Sequence, residues 1–87
     1  MPKVEIYTKM WCGYCHRAKQ LLDEKDVAYQ EFDTTSSPEL RDEARHRSGG
    51  RRTVPQIFID GEAIGGSDEL AALEASGELD AKLGRAA

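Results

Sequence analysis

Two cysteines stand three residues apart in KMWCGYCHRAKQLL, which begins at Lys9, and the chain contains no others. Such a pair admits three chemistries: a structural clip, part of a metal site, or a redox couple. A clip across one short C-x-x-C loop braces little chain, because a disulfide stabilises mainly by closing long loops. Zinc normally takes four protein ligands, and beyond the thiols only His16 and His46 are on offer. His16 follows Cys15 directly on a helix face and reads as solvent-facing. An inert buried pair fits poorly beside a helix start, so a redox couple is favoured. Cys12 falls just before a helix-like segment and Cys15 one turn in, on the same face and at a separation a disulfide can span. The two are not equivalent. Cys12 faces the unpaired N–H groups of the first turn and the positive end of the helix dipole, which stabilise a thiolate. Cys15 points back toward the body of the fold. Cys12 is therefore the expected nucleophile and Cys15 the resolving thiol, with Lys9 and a nearby arginine cluster adding to the stabilisation.

The elements that must position this pair belong to one small domain, residues 1–87, long enough for a two-layer core without disulfide staples. Charged residues make up 32% and hydrophobic ones 39%, the balance of a folded soluble protein rather than a disordered one. Two cysteines are too few for a secreted disulfide scaffold, MPKVEIYTK lacks the apolar run of a signal peptide, and no stretch approaches transmembrane length. The expected location is the cytoplasm, where thiols stay reduced, with no membrane association. A net charge of −4 argues against nucleic acid as a partner. The charge is unevenly placed: Arg41, Arg45, Arg47, Arg51 and Arg52 cluster mid-chain, whereas Asp60 to Asp80 carries only acids. These runs read either as solvated faces or as a local positive field suited to an anion or a thiolate.

KVEIYT is a β-prone run ending at the cysteine loop. From Gly13 to Glu24 the apolar positions Cys15, Ala18, Leu21 and Leu22 recur at helical spacing, with His16, Arg17, Lys19, Gln20 and Asp23 outward. VAYQEF reads as a second strand. TTSSPEL starts a second helix: Ser36 or Ser37 caps it, Pro38 suits its first turn, and Glu39 is placed to complete a capping box with Ser36. Gly49-Gly50 ends it. VPQIFIDGEAI is a hairpin around Asp60-Gly61, a pair suited to a type I′ turn. GGSDELAALEASG gives a loop, a Ser67 cap, Asp68 and Glu69 in a helical first turn, and a Gly77 stop; ELDAKL adds one further helical turn or two. The order β-α-β-α-β-β-α implies an α/β fold with a four-stranded mixed sheet and helices on both faces.

Three separated segments together resemble the glutaredoxin family. WCGYC is similar to the family's Cys-Pro-Tyr-Cys active site, TVPQIFIDGEAIGG to its proline-containing strand and hairpin, and GGSDEL to the loop and helix start that hold the γ-glutamyl end of glutathione. The correspondence runs from about Val4 to Leu83. It implies a thioredoxin-like fold in which Pro55 is a cis proline beside the cysteines; from the residues alone, a trans proline opening an edge strand is the simpler reading. It also implies that the Val54 backbone pairs with the cysteinyl part of glutathione like an added strand. Tyr14 would wall the sulfur site, Lys9 and Arg41 would hold the glycine carboxylate, and Thr53 would lie beside the groove. Gly66, Ser67 and Asp68 would receive the γ-glutamyl group, with backbone N–H groups for its carboxylate and the Asp68 carboxylate for its ammonium.

The chain departs from the family pattern in two places. Gly13 replaces the usual proline, which loosens the loop and restores an N–H, and SGGRRTVP is one residue longer than is common. The resemblance implies a glutathione-dependent oxidoreductase that reduces protein–glutathione mixed disulfides and protein disulfides, working as a monomer. Family members without the proline include some that hold a [2Fe–2S] cluster between two subunits, so a cluster-bridged dimer acting as carrier or sensor is the rival reading, with Cys12 as the metal ligand. A redoxin served by thioredoxin reductase is a third; the Lys9, Arg41 and Ser67-Asp68 set disfavours it.

Overall fold

The structure is a computed structural model and describes residues 2–85; Met1, Ala86 and Ala87 of the expected domain lie outside the described residues. Its eight elements are β1 (Val4–Thr8), α1 (Gly13–Glu24), β2 (Gln30–Asp33), α2 (Pro38–Arg47), β3 (Gln56–Ile59), β4 (Glu62–Gly65), α3 (Ser67–Ser76) and α4 (Glu78–Lys82). The sheet order is β2-β1-β3-β4. β1 and β2 run parallel, whereas β1 with β3 and β3 with β4 are antiparallel. This is the mixed four-stranded sheet expected from the element order.

Strand alternation divides the core between the two faces. Val4, Ile6, Ile57 and Ile59 point to one side and pack with Ala18 and Leu22 of α1, Leu70 of α3, and Leu79 of α4. Tyr7 and Phe58 point to the other, under Ala44 of α2, with Phe32 and Leu40 at the margin. Because β1 is central and covered on both faces, all five of its residues are buried. Burying a side chain such as Leu22 contributes about 1.5–3 kcal/mol. The small cap of α2 over the second face explains why that helix has so few apolar positions: one sheet face needs little more than Leu40 and Ala44.

The local signals resolve as follows. Ser37, not Ser36, caps α2, and its hydroxyl accepts the Leu40 N–H at 3.2 Å. The expected box with Glu39 does not form, because moving the cap by one residue leaves Leu40 where the acid would have to be. Asp60 and Gly61 both have positive φ, 51° and 81°, as a type I′ turn requires. Gly77 ends α3 in the left-handed conformation, and α4 follows at once.

Glu5 is the polar exception inside β1. It faces α2, where the Arg47 guanidinium donates to its carboxylate at 2.9 Å and to the Tyr7 hydroxyl at 2.8 Å. The Tyr7 hydroxyl donates in turn to Glu43 at 2.8 Å, and Arg47 lies 4.1 Å from the centroid of the Phe58 ring. Hydrogen bonding from Arg47 holds the Glu5 carboxyl below its ordinary 4.5, against the opposing effect of burial. A depressed carboxylate contributes stability that is present above its ordinary value and lost as pH falls below it. Arg47→Met leaves the Glu5 charge buried and unpaired, so urea unfolding at pH 7 is expected to show a loss on the order of 3 kcal/mol. As pH falls below 4.5 and through the depressed Glu5 value, the gap between the variant and the native chain is expected to narrow.

Candidate active site

Strand direction brings four segments to one edge of the sheet. β1 and β2 are parallel and deliver Lys9–Cys12 and the start of α2 to the same end. β3 runs the other way and begins there, with Gln56 paired to Tyr7 at the end of β1, so Val54-Pro55 lies beside the cysteine loop. β4 reverses once more and returns Gly65 and the start of α3 to that edge. The Val54–Pro55 peptide is cis, in agreement with what the resemblance implied and not with the simpler reading of the residues.

Cys12 is the N-cap of α1 through its side chain: Sγ accepts the Cys15 N–H at 3.1 Å. The same sulfur lies 3.9 Å from the Val54 carbonyl oxygen. Cys12 is half-buried, whereas Cys15 is only 2% exposed and packs inward. Burial pushes the Cys15 thiol up to about 12, with a further upward contribution from its hydrogen bond to Cys12. Three large hydrophobic side chains, Met10, Trp11 and Tyr14, stand exposed around the sulfur. Trp11 has φ +58°, an uncommon conformation for a bulky residue, and its side chain is 96% exposed. Arg17 stacks on Tyr14 with its guanidinium 5.6 Å from the ring centroid.

Two concavities share the Thr53–Val54 strip. One, about 320 Å³, is lined by Tyr14, Pro55, Gly66, Ser67 and Asp68 as well as that strip. The other, about 450 Å³, lies toward α2 and is lined by Lys9, Arg41, Arg45 and Arg52 among others. Apart from the two cysteines, the sequence-predicted site residues line these concavities, with Lys9 and Arg41 on one side of the shared strip and Tyr14, Pro55, Gly66, Ser67 and Asp68 on the other. Cys12 lines neither but lies against the strip at the Val54 carbonyl. Arg41 donates to the Thr34 carbonyl at 3.0 Å, which fixes its side chain against the start of α2.

Three residues that build the site were not singled out from the sequence. Gln56 is buried and donates through Nε2 to the Thr53 carbonyl at 2.9 Å, bracing the strip. Glu69 accepts the Gly66 N–H at 2.6 Å and the Arg51 guanidinium at 3.0 Å. This corrects the cap of α3: Gly66 is the N-cap, and Ser67 is the first helical residue and buried. A glycine has no side chain, so only the Glu69 half of a capping box forms; an acid three residues after Gly66 was the available signal. Gly65 precedes it with φ +111°, and a Cβ there would stand 2.7 Å from Glu69 Oε1, so the position demands glycine. The arginine cluster separates by destination. Arg47 enters the core, Arg41, Arg45 and Arg52 line the larger concavity, and Arg51 lines both concavities while paired with Glu69.

An accessible sulfur capping a helix beside a buried partner thiol, on a βαβ unit and next to a cis proline, is the arrangement of a thiol–disulfide oxidoreductase of thioredoxin-like fold. Comparisons with known proteins agree. A glutaredoxin family model matches residues 4–64. The chain is 56% identical over 80 residues to glutaredoxin 3 of Escherichia coli strain K12, covering 92% of this chain and 95% of the relative. It is 54% identical over 83 residues to a glutaredoxin of Pseudomonas aeruginosa, covering 95% and 98%. Among solved structures, a buckwheat glutaredoxin–glutathione complex superposes with a TM-score of 0.85 at 30% identity, covering 95% of this chain and 77% of that one. The glutaredoxin of Brucella melitensis gives 0.80 at 48% identity, covering 98% and 94%. The chain belongs to the glutaredoxin family.

The asymmetry of the two thiols is directly measurable. With limiting iodoacetamide at pH 7.5, peptide mapping is expected to find the label on Cys12, with Cys15 modified only after unfolding. Faster native labelling of Cys15 would contradict the burial described above.

Proposed function

We propose that the chain is a glutathione-dependent thiol–disulfide oxidoreductase whose main reaction removes glutathione from protein mixed disulfides. The observation that carries this reading is the succession of cation, extended backbone and helix start along two concavities that meet at Thr53 and Val54, the strip against which Cys12 Sγ lies. Glutathione offers a carboxylate, a peptide and an α-amino acid in the same succession. In this reading Lys9 and Arg41 hold the glycine carboxylate, and Thr53 and Val54 border the peptide. Pro55 and Tyr14 wall the sulfur. The backbone at Gly66 and Ser67, with the Asp68 carboxylate, receives the γ-glutamyl end.

Cys12 Sγ is the accessible sulfur of the pair and is held at the helix start by the Cys15 N–H. The Cys12 thiolate attacks the glutathione sulfur of a mixed disulfide. A Cys12–glutathione bond forms, the original S–S bond breaks, and the protein thiolate leaves with the electron pair and takes a proton from solvent. A second glutathione thiolate attacks the same glutathione sulfur, releasing oxidised glutathione and restoring Cys12. With a protein disulfide, Cys15 attacks the Cys12 sulfur of the intermediate. A Cys12–Cys15 bond forms, the bond to the substrate breaks, and the Cys15 proton passes to the departing thiolate. Two glutathiones then reduce the Cys12–Cys15 bond and leave as oxidised glutathione. In the reduced pair, burial holds the proton on Cys15, so it is Cys12 that starts either route. Substrates are glutathionylated and disulfide-bearing proteins, and the chain acts as a cytoplasmic monomer.

The rival reading, a [2Fe–2S] dimer, rests on Gly13, where nothing lies within 4 Å of an added Cβ and the loop is uncrowded. The residues of one chain do not fit a cluster. Among the described residues no three His, Cys, Asp or Glu side chains gather, and Cys12 offers a single accessible sulfur. All other ligands would have to come from a second chain and from glutathione.

A glutathione-coupled assay on a glutathionylated peptide tests the proposal. Cys12→Ser is expected to abolish turnover and Cys15→Ser to retain most of it, because the glutathione route never uses Cys15. Robust activity in Cys12→Ser, or coupling to thioredoxin reductase in place of glutathione, would refute it.

A further inference from the structure

The larger concavity holds more positive charge than a tripeptide needs. Glutathione brings one glycine carboxylate to that end, and Lys9 with Arg41 suffices for it. Arg45 and Arg52 also line the cavity, as does Arg51, whose charge is met by Glu69; Asp42 is the one acid in the lining. The four cations to account for are Lys9, Arg41, Arg45 and Arg52. Among the described residues none of these four cations is in an ion pair, whereas Lys3, Lys19, Lys25, Arg47, Arg51 and Lys82 have carboxylates. Arg17 and Arg85 are not in ion pairs either, but Arg17 lies over the Tyr14 ring and Arg85 donates to the Asp26 carbonyl. Arg41 and Arg45 stand four residues apart on α2, a like-charge spacing that destabilises a helix unless something compensates it. In a chain of net charge −4, a local excess of this kind points to an anionic ligand.

The surroundings say which anion. Lys9 leads directly into Met10 and Trp11, which are 53% and 96% exposed. A small free anion gains nothing from an apolar tract beside it, but a polypeptide gains from both features. We propose that the Arg45–Arg52 side of the concavity docks acidic side chains flanking the reactive cysteine of a protein substrate, while its apolar side chains cover Met10 and Trp11. The inference rests on the proposed reaction with protein mixed disulfides and adds a substrate preference to it. Each charge contact is partly solvated, so the effect falls on productive encounter and is weakened by salt.

The test uses glutathionylated peptides that differ only in three residues beside the cysteine, all Glu, all Gln or all Lys. At low salt, kcat/KM for the Glu peptide is expected to exceed that for the Lys peptide about tenfold, falling toward parity in 0.5 M NaCl. Arg45→Gln combined with Arg52→Gln should bring the ratio below about twofold, while turnover of the glutathione–2-mercaptoethanol mixed disulfide stays at the native level. Asp42→Asn should raise the ratio. Equal rates for the Glu and Lys peptides, or a preference that survives the double substitution, would overturn the inference. So would equal peptide rates accompanied by stoichiometric tripolyphosphate binding, which would make the cavity a free-anion site. If the native chain failed on the small mixed disulfide, the glutathione reading itself would fall; activity there without a peptide preference sinks only the docking site.

Discussion

The hydrogen bond from the Cys15 N–H to Cys12 Sγ ties the chemistry of this protein to its architecture. A helix start leaves N–H groups without partners, and here a sulfur takes the place usually given to a hydroxyl or carboxylate. The sulfur proposed as the nucleophile is therefore also a structural atom, held wherever the start of α1 is held. That start is held firmly. It follows β1, the central strand, whose residues are buried from both faces.

The same placement separates the two thiols. Three residues of helix turn Cys15 from the groove into the layer under α1, where burial keeps its proton on. Cys12 stays at the surface among Met10, Trp11 and Tyr14. One short motif thus holds an accessible sulfur and a concealed one, and the difference arises from helix geometry and not from side-chain type. Gly13 adds no steric control of its own, since nothing crowds it.

Charge is distributed by the same geometry. Arg47 lies on the side of α2 that meets the sheet and neutralises Glu5 there. Arg41 and Arg45, four apart, share the side that meets the groove. Arg51 is drawn across to Glu69, and this pair, with the Gly66 N–H, fixes how α3 enters the site. A chain that is acidic overall can therefore present a positive groove, because the partition is made residue by residue along one helix and one loop.

Much of this was legible in residue order. The extent of α1 followed from its apolar spacing, the hairpin turn from Asp60-Gly61, and the stop of α3 from Gly77, because each depends on neighbours a few residues away. The cysteine asymmetry was legible for the same reason. Boundaries were less secure: the caps at Ser37 and Gly66 lay within one residue of other polar groups that could have served. What the sequence could not decide from local pattern was which distant segments share an edge. The ion pair of Arg51 with Glu69, the brace from Gln56 to Thr53, the cis peptide at Pro55 and the inward turn of Arg47 exist only once strand order and direction are set. Those contacts depend on through-space distance, and tertiary packing alone supplies it.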